Sequence, residues 1–250
     1  MNAQESQESQ KSQDRQPQAT LPALLLLADG RFPSGGHAHS GGLEAAAALD
    51  GVDELAALEE FLRGRLATTG VVTAAFTAAA CASFGGTGRR PTEVVEALEV
   101  LDREFAARIP SPALRTASRR LGRQLLRAGR TIWPHPRLDE LSAAPRHGPH
   151  QPVALGAVAA AAGLGPDAAA LAAAHDAVLT PATAAVRLLG LDPFAVHATV
   201  ARLGPRIAAV AAEAARHAYT APEELPSRAG PLLDIRAENH AAWEVRLFAS

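Results

Sequence analysis

Apolar residues recur along most of the chain at three- and four-residue spacing. Leu55, Leu58, Leu62 and Leu66 do so, and so do Val94, Leu98, Leu101 and Phe105. At about 100° per residue each set forms one stripe on a helix. No stretch sustains the period-two alternation of a half-buried strand, so the pattern predicts roughly eight to ten helices of ordinary length and no sheet. Starts are marked by a short polar residue before proline: Ser111–Pro112, Thr180–Pro181 and Asp192–Pro193. The polar side chain caps exposed amides and proline preorganises the first turn. Gly165–Pro166 and Gly204–Pro205 read as two further breaks. The run Leu24–Leu27 reads as a short core helix closing at Asp29–Gly30, and the proline- and histidine-rich stretch Trp133–Pro152 as a long internal connection.

The ends differ from this helical body. Residues 1–20 are Gln/Ser-rich with almost nothing apolar, the composition of a disordered tail. Residues 21–225 read as one compact all-α domain. Residues 226–250 begin with a proline-rich stretch and finish on Trp243, Leu247 and Phe248, apolar side chains that must dock on the chain's own domain or on a partner.

Composition sharpens the fold class. Hydrophobic residues make up 48% of the 250, but aromatics only 4%, and alanine dominates. Alanine is the best helix former and a poor strand residue, so close packing of helices through small side chains is the expected architecture. The net charge of −2 argues against a dedicated nucleic-acid binder. Lys11 is the only lysine, which leaves the folded part without a P-loop or Schiff-base lysine. Cys81 is the only cysteine, so an internal disulfide and a cysteine-pair metal site are excluded. No apolar signal core precedes the domain, Leu24–Leu27 is too short to span a bilayer, and a cytoplasmic, membrane-free setting is expected.

Three features could carry chemistry. The turn Phe32–Glu44 holds Gly35, Gly36, Gly41 and Gly42, residues suited to positive φ or close backbone approach. Ser40 is placed to cap a helix starting near Leu43, with Glu44 in its first turn. A phosphate loop is disfavoured by the missing lysine and by the helix, rather than strand, before the turn. His37 and His39, with His135, His147 and His150, could gather a metal, which leaves a small all-helical histidine-based metal-binding protein or enzyme as the alternative reading. Their spacing is not that of a strong site. Arg115, Arg119, Arg123 and Arg127 place a basic stripe on one helix face, either solvated or a dock for an acidic protein. No catalytic triad order or clustered carboxylate pair stands out, and acidic residues fall mostly on helix exteriors.

The segment FPSGGHAHSGGLE resembles the N-terminal signature of the UreF family of urease accessory proteins. RTASRRLGRQLLRAG is similar to that family's central Arg/Leu helix, and HQPVALGAVAAAAGLG to its histidine-proline entry into an apolar helix. TPATAAVRLLGLDP is similar to the helix with an Arg-Leu pair, and PLLDIRAENHAAWEVRLFAS to the family's closing signature. The motifs come in order over nearly all of the chain after Thr20. His37 stands where an aromatic is more usual, and Gly190-Leu191-Asp192-Pro193 replaces a Gly-Gln step.

The resemblance implies an all-helical, dimeric protein that is not an enzyme and carries no cofactor. It would bridge UreD (also called UreH) and the GTPase UreG, with nickel and GTP held by UreG, in GTP-coupled nickel delivery to apo-urease. The partner-facing residues it implies are Phe32, Pro33, Gly35, Gly36, His39, Ser40, Gly42, Leu43 and Glu44 of the turn. To these it adds Arg187 and Leu188, then Pro231, Leu232, Asp234, His240, Arg246, Leu247 and Phe248. On this reading the C-terminal tail is mobile in the free protein and orders when UreD docks.

Overall fold

A helix of almost nothing but small and apolar residues, VVTAAFTAAACASFG, lies at the centre of the molecule as α4 (Val71–Gly85). It is buried on nearly all sides, because α5 (Pro91–Ala107), α8 (Gln151–Ala161), α9 (Pro166–Leu189) and α10 (Pro193–Ala215) all pack against it. Small side chains bring these axes close. A Cβ on Gly156 of α8 would overlap the Thr77 carbonyl oxygen and sit 2.7 Å from Ala80 Cβ and Cys81 N. The helices therefore meet backbone to backbone at that point.

The structure is a computed structural model, and it describes residues 20–86, 88–143 and 148–249. The polar segment before Thr20 and the loop histidine His147 lie outside the described residues. Among the described residues there is no strand. The remaining helices are α1 (20–28), α2 (Leu43–Asp50), α3 (Leu55–Arg65), α6 (Pro112–Ile132), α7 (Pro136–Ala143) and α11 (Pro231–Ala241). All surround one contiguous apolar core, the single-domain all-α fold expected. A π-helical segment, Leu66–Gly70, joins α3 to α4 into one rod. There the Thr68 hydroxyl bonds back to the Gly64 carbonyl at 2.8 Å, the kind of local competition that loosens helical pairing. This rod and α9 are long and apolar enough to cross a membrane, but both are mostly buried inside the fold.

Several sequence expectations need correction. Ser111 and Asp192 do cap helices, accepting from Leu114 N and from Phe194 N and Ala195 N. Thr180–Pro181 does not start one; α9 runs straight through it. Proline at 181 removes the amide that would bond the Ala177 carbonyl. Arg65 Nε of α3 bonds that carbonyl instead, at 3.1 Å. Gly204–Pro205 likewise lies inside α10, where the freed carbonyl belongs to the exposed residue Ala201. The stretch Trp133–Pro152 is not one loop, since it contains α7, which buries Leu138 and Leu141. In α1 only Leu27 is fully buried, while Leu25 and Leu26 are exposed.

The arginine stripe of α6 is divided. Arg119 pairs with the buried Asp102 at 2.7 Å, and Arg115 bonds the carbonyls of Ile109 and Pro110. Arg123 and Arg127 are exposed. Asp102 also accepts the backbone N–H of His150 at 2.6 Å, so this acid is a buried junction and not an exterior residue.

Candidate functional site

The turn before α2 is built on positive backbone angles. Gly35, Gly41 and Gly42 have φ of +81°, +63° and +89°, a region that costs other residues steric strain. At Gly35 a Cβ would also overlap Gln124 Oε1 of α6. One short helical turn, Gly36–Ala38, then carries the chain inward. Phe32 anchors the entry by stacking on Trp133, with ring centroids 5.9 Å apart. Gly42, rather than Ser40, occupies the N-cap position of α2, yet Ser40 Oγ still accepts the Glu44 N–H at 3.2 Å.

Glu44 is the centre of the arrangement. Its side chain turns inward, leaving the residue 8% exposed, and three donors from the far end of the chain converge on it. His240 Nε2 donates to Oε2 at 2.8 Å, Leu247 N to Oε1 at 2.7 Å and Phe248 N to Oε2 at 3.0 Å. Burial by itself pushes this carboxyl up, but the Leu247 amide, the His240 side chain and the Phe248 amide outweigh it. The net effect holds Glu44 below the ordinary carboxylate range. Ala249 N adds a bond to the Ala38 carbonyl at 2.7 Å.

Arg187, from the last turn of α9, completes the joint. Its guanidinium lies 5.1 Å from the Phe248 ring centre, and Nη1 donates to the His37 carbonyl at 3.3 Å. The tail helix α11 is docked by acids on the positive end of α6. Asp234 accepts Ser111 N at 3.2 Å, and Glu238 accepts Ala113 N at 2.9 Å and the Ser111 hydroxyl. Hydrogen bonding from the Ser111 hydroxyl and the Ala113 amide holds the Glu238 carboxyl low. Arg236 Nε meets Asp50 of α2 at 2.5 Å.

The turn, the Arg187 helix end and the tail, far apart in sequence, thus form one structure. Its residues divide into two sets. Phe32, His39, Ser40, Leu43, Glu44, His240 and Phe248 are buried, and Asp234 is bonded internally. Leu188 packs half-buried against the core. Pro33, His37, Arg187, Pro231, Leu232, Arg246 and Leu247 are exposed, with Gly35, Gly36 and Gly42 half-buried between the two sets. A shallow concavity over the joint is lined by His37, Arg120, Arg187, Glu244, Arg246 and Leu247, a mainly cationic surface. The inward-facing donors and acceptors do structural work, and only the outer set can meet another protein without rearrangement.

Among the described residues the histidines are not gathered into a metal site. His135 packs on Phe84 and its Nδ1 accepts Arg137 N, while His150 packs edge-on to Phe105. His150 is fully buried with both ring nitrogens unbonded; burial, only partly offset by the Asp102 carboxylate, pushes it down to about 4. Among the described residues no three His, Cys, Asp or Glu side chains are placed to hold a metal ion. Sequence reasoning missed Arg236, Glu238 and Arg120. The acids of α11 had a signal in the free amides after Ser111, which needed partners, but nothing in the chain said which acids would reach them.

The UreF family model matches residues 52–204, the helical body between the turn and the tail. Curated relatives extend the similarity over nearly the whole chain. The urease accessory protein UreF of Mycolicibacterium vanbaalenii is 42% identical over 232 residues, covering 93% of this chain and 100% of that protein. The UreF proteins of Mycobacterium marinum and Mycobacterium tuberculosis are 43% and 40% identical over 231 residues, covering 92% of this chain and 99% of theirs. The chain belongs to the UreF family of urease accessory proteins.

Proposed function

We propose that this protein acts without catalysis in urease maturation, as a scaffold that bridges UreD/UreH and the GTPase UreG. The nickel and GTP of the delivery step belong to UreG, and the cargo passes to apo-urease. The observation that carries this reading is the joint itself. The glycine turn, the end of α9 and the tail meet in one exposed surface where Arg120, Arg187 and Arg246 stand beside the bare Leu247 side chain. A mixed cationic and apolar face fits a protein partner with acidic and apolar residues better than it fits a small substrate. The further exposed Leu232 and Ile235 of α11 continue the apolar part. A homodimer and a cytoplasmic setting accompany the proposal.

In the structure the tail is seated on its own domain, with Phe248 buried and its amide bonded to Glu44. The scaffold therefore offers a preformed face. Arg246→Ala removes an exposed cation and should change stability by less than about 0.5 kcal/mol, while weakening co-elution with UreD and UreG. Unchanged co-elution would refute the assignment of this face. Deleting the gene in its host and assaying urease at ordinary nickel supply tests the larger reading; full activity would overturn it.

A further inference from the structure

A cleft of about 160 Å³ opens at the surface beside the exposed Arg228 and Ala229 and runs inward between α4, α6 and α9. Val72, Phe105, Leu121 and Leu233 give it an apolar wall. Of the charged side chains that also line it, nearly all are already engaged. Arg108 is paired with Glu104 and bonds the carbonyls of Pro222, Glu223, Leu225 and Pro226. Arg228 meets Glu213, and Asp234 accepts Ser111 N. Both oxygens of Asp176 accept, one from Gln151 Nε2 at 3.2 Å and one from the Thr180 hydroxyl at 2.8 Å. Burial pushes His39 down, so its ring is mostly neutral at neutral pH.

Arg65 is the exception. Its Nε is taken by the Ala177 carbonyl, but neither Nη atom has a hydrogen bond or an ion pair. The guanidinium lies against Gly41, another residue of the wall, where a Cβ would be 3.4 Å from Cζ and 3.5 Å from Nη2. Burial pushes this group down, and Asp176 only partly offsets the effect. The cation has left bulk water without receiving an acid in exchange, a costly state for a rigid fork of donors. The hydroxyls of Thr73 and Ser118 line the same cleft and donate to no protein acceptor.

We propose that this cleft binds a small aliphatic carboxylate, its two oxygens on the free Nη donors of Arg65 and its short chain against Val72, Phe105 and Leu121. A guanidinium presents parallel N–H groups in the plane of a carboxylate, a match that a neutral amide cannot equal. The Thr73 and Ser118 hydroxyls are the further donors available to the acid. The site uses none of the exposed arginines of the joint, and it stands whether or not the bridging role does.

Isothermal titration calorimetry of the full chain with sodium butyrate tests it, with butyramide as the neutral isostere. Butyrate should bind with a Kd on the order of 1 mM, and butyramide at least about tenfold more weakly. Arg65→Met removes the fork. Ala117→Leu fills the cleft from α6 while leaving the guanidinium and its bond to Ala177 in place, and it keeps the test open should Arg65→Met fail to fold. Each should lower butyrate affinity about tenfold or more, with far-UV circular dichroism unchanged in Ala117→Leu. No saturable heat from butyrate in the parent would overturn the proposal. Equal binding of butyramide would overturn it too, since the cleft would then read only the apolar chain. Unchanged butyrate affinity in folded Ala117→Leu would place the acid elsewhere and refute the site.

Discussion

The helical core around α4 and the joint around Glu44 are held together by opposite means. In the core, alanines and glycines let axes approach until carbonyls and Cβ atoms touch, and almost no side-chain polar bond is involved. In the joint a single buried acid collects three donors from the other end of the chain, and a cation covers the one aromatic ring beside it. Packing of the first kind spreads stability over hundreds of weak contacts and tolerates no added volume. Bonding of the second kind tolerates added volume at its rim but depends on one charge. The molecule has both: a body that resists deformation and an edge that yields more readily.

The sharpest way to break the comparison is to add volume to the core. Gly156→Leu would drive a side chain into the α4 backbone, and urea unfolding should register a loss of about 3 kcal/mol or more. A loss under about 1 kcal/mol would mean that α4 and α8 can slide apart and that the core is not rigid. Next comes acid. His150 is held at about 4 against an ordinary 6.5. The unfolded chain therefore binds a proton that the folded chain refuses, and stability should fall as pH drops from about 6.5 towards 4, by roughly 3 kcal/mol. Chemical unfolding of His150→Leu across that range should give a flatter profile, and an equally steep one would assign the loss to other groups.

Glu44→Gln tests the joint alone. It should cost about 2 kcal/mol, with amide exchange accelerated at Leu247 and Phe248 and unchanged in α4. Uniform acceleration would erase the distinction between the two regions. Glu44 also sits below the ordinary carboxylate range, so its contribution is present above that range and is lost as pH falls through its lowered value, after His150 has acted. A smaller effect than that of Glu44→Gln is expected of Arg187→Ala, about 0.5–1 kcal/mol from its place over Phe248. A loss of several kcal/mol by thermal unfolding would make the cover more than an exposed cation on a ring.

The helical architecture was legible because alanine content and three–four spacing agree, and because Ser111 and Asp192 do what short polar residues before proline do. The prolines at 181 and 205 misled for one reason: a helix keeps a proline when something else takes the freed carbonyl, and neither Arg65 nor the exposure of Ala201 is visible in local sequence. Helix α7 was hidden by the histidines and prolines around Leu138 and Leu141. At the joint, the glycines announced an unusual turn, and only the family resemblance connected it to the tail. That Glu44 points inward could not be read from its position, since a glutamate in a first turn ordinarily faces water and the helix dipole. The histidines looked like chemistry in one dimension, but those among the described residues are not gathered into a metal site.

The exchange at Pro181 has a practical consequence for genetics. Arg65 takes over a hydrogen bond that α9 cannot make for itself, nearly three helical turns before Arg187 meets the tail. Substituting Arg65 would leave that carbonyl orphaned and let α9 reset its course, carrying Arg187 with it. A loss-of-function screen would then score Arg65 beside Arg187 and Arg246 as if all three touched the same partner, although Arg65 acts on a carbonyl inside the fold. Mutational maps of such a surface need a suppressor at Pro181, where restoring an N–H donor would silence the Arg65 defect and leave the Arg246 defect standing.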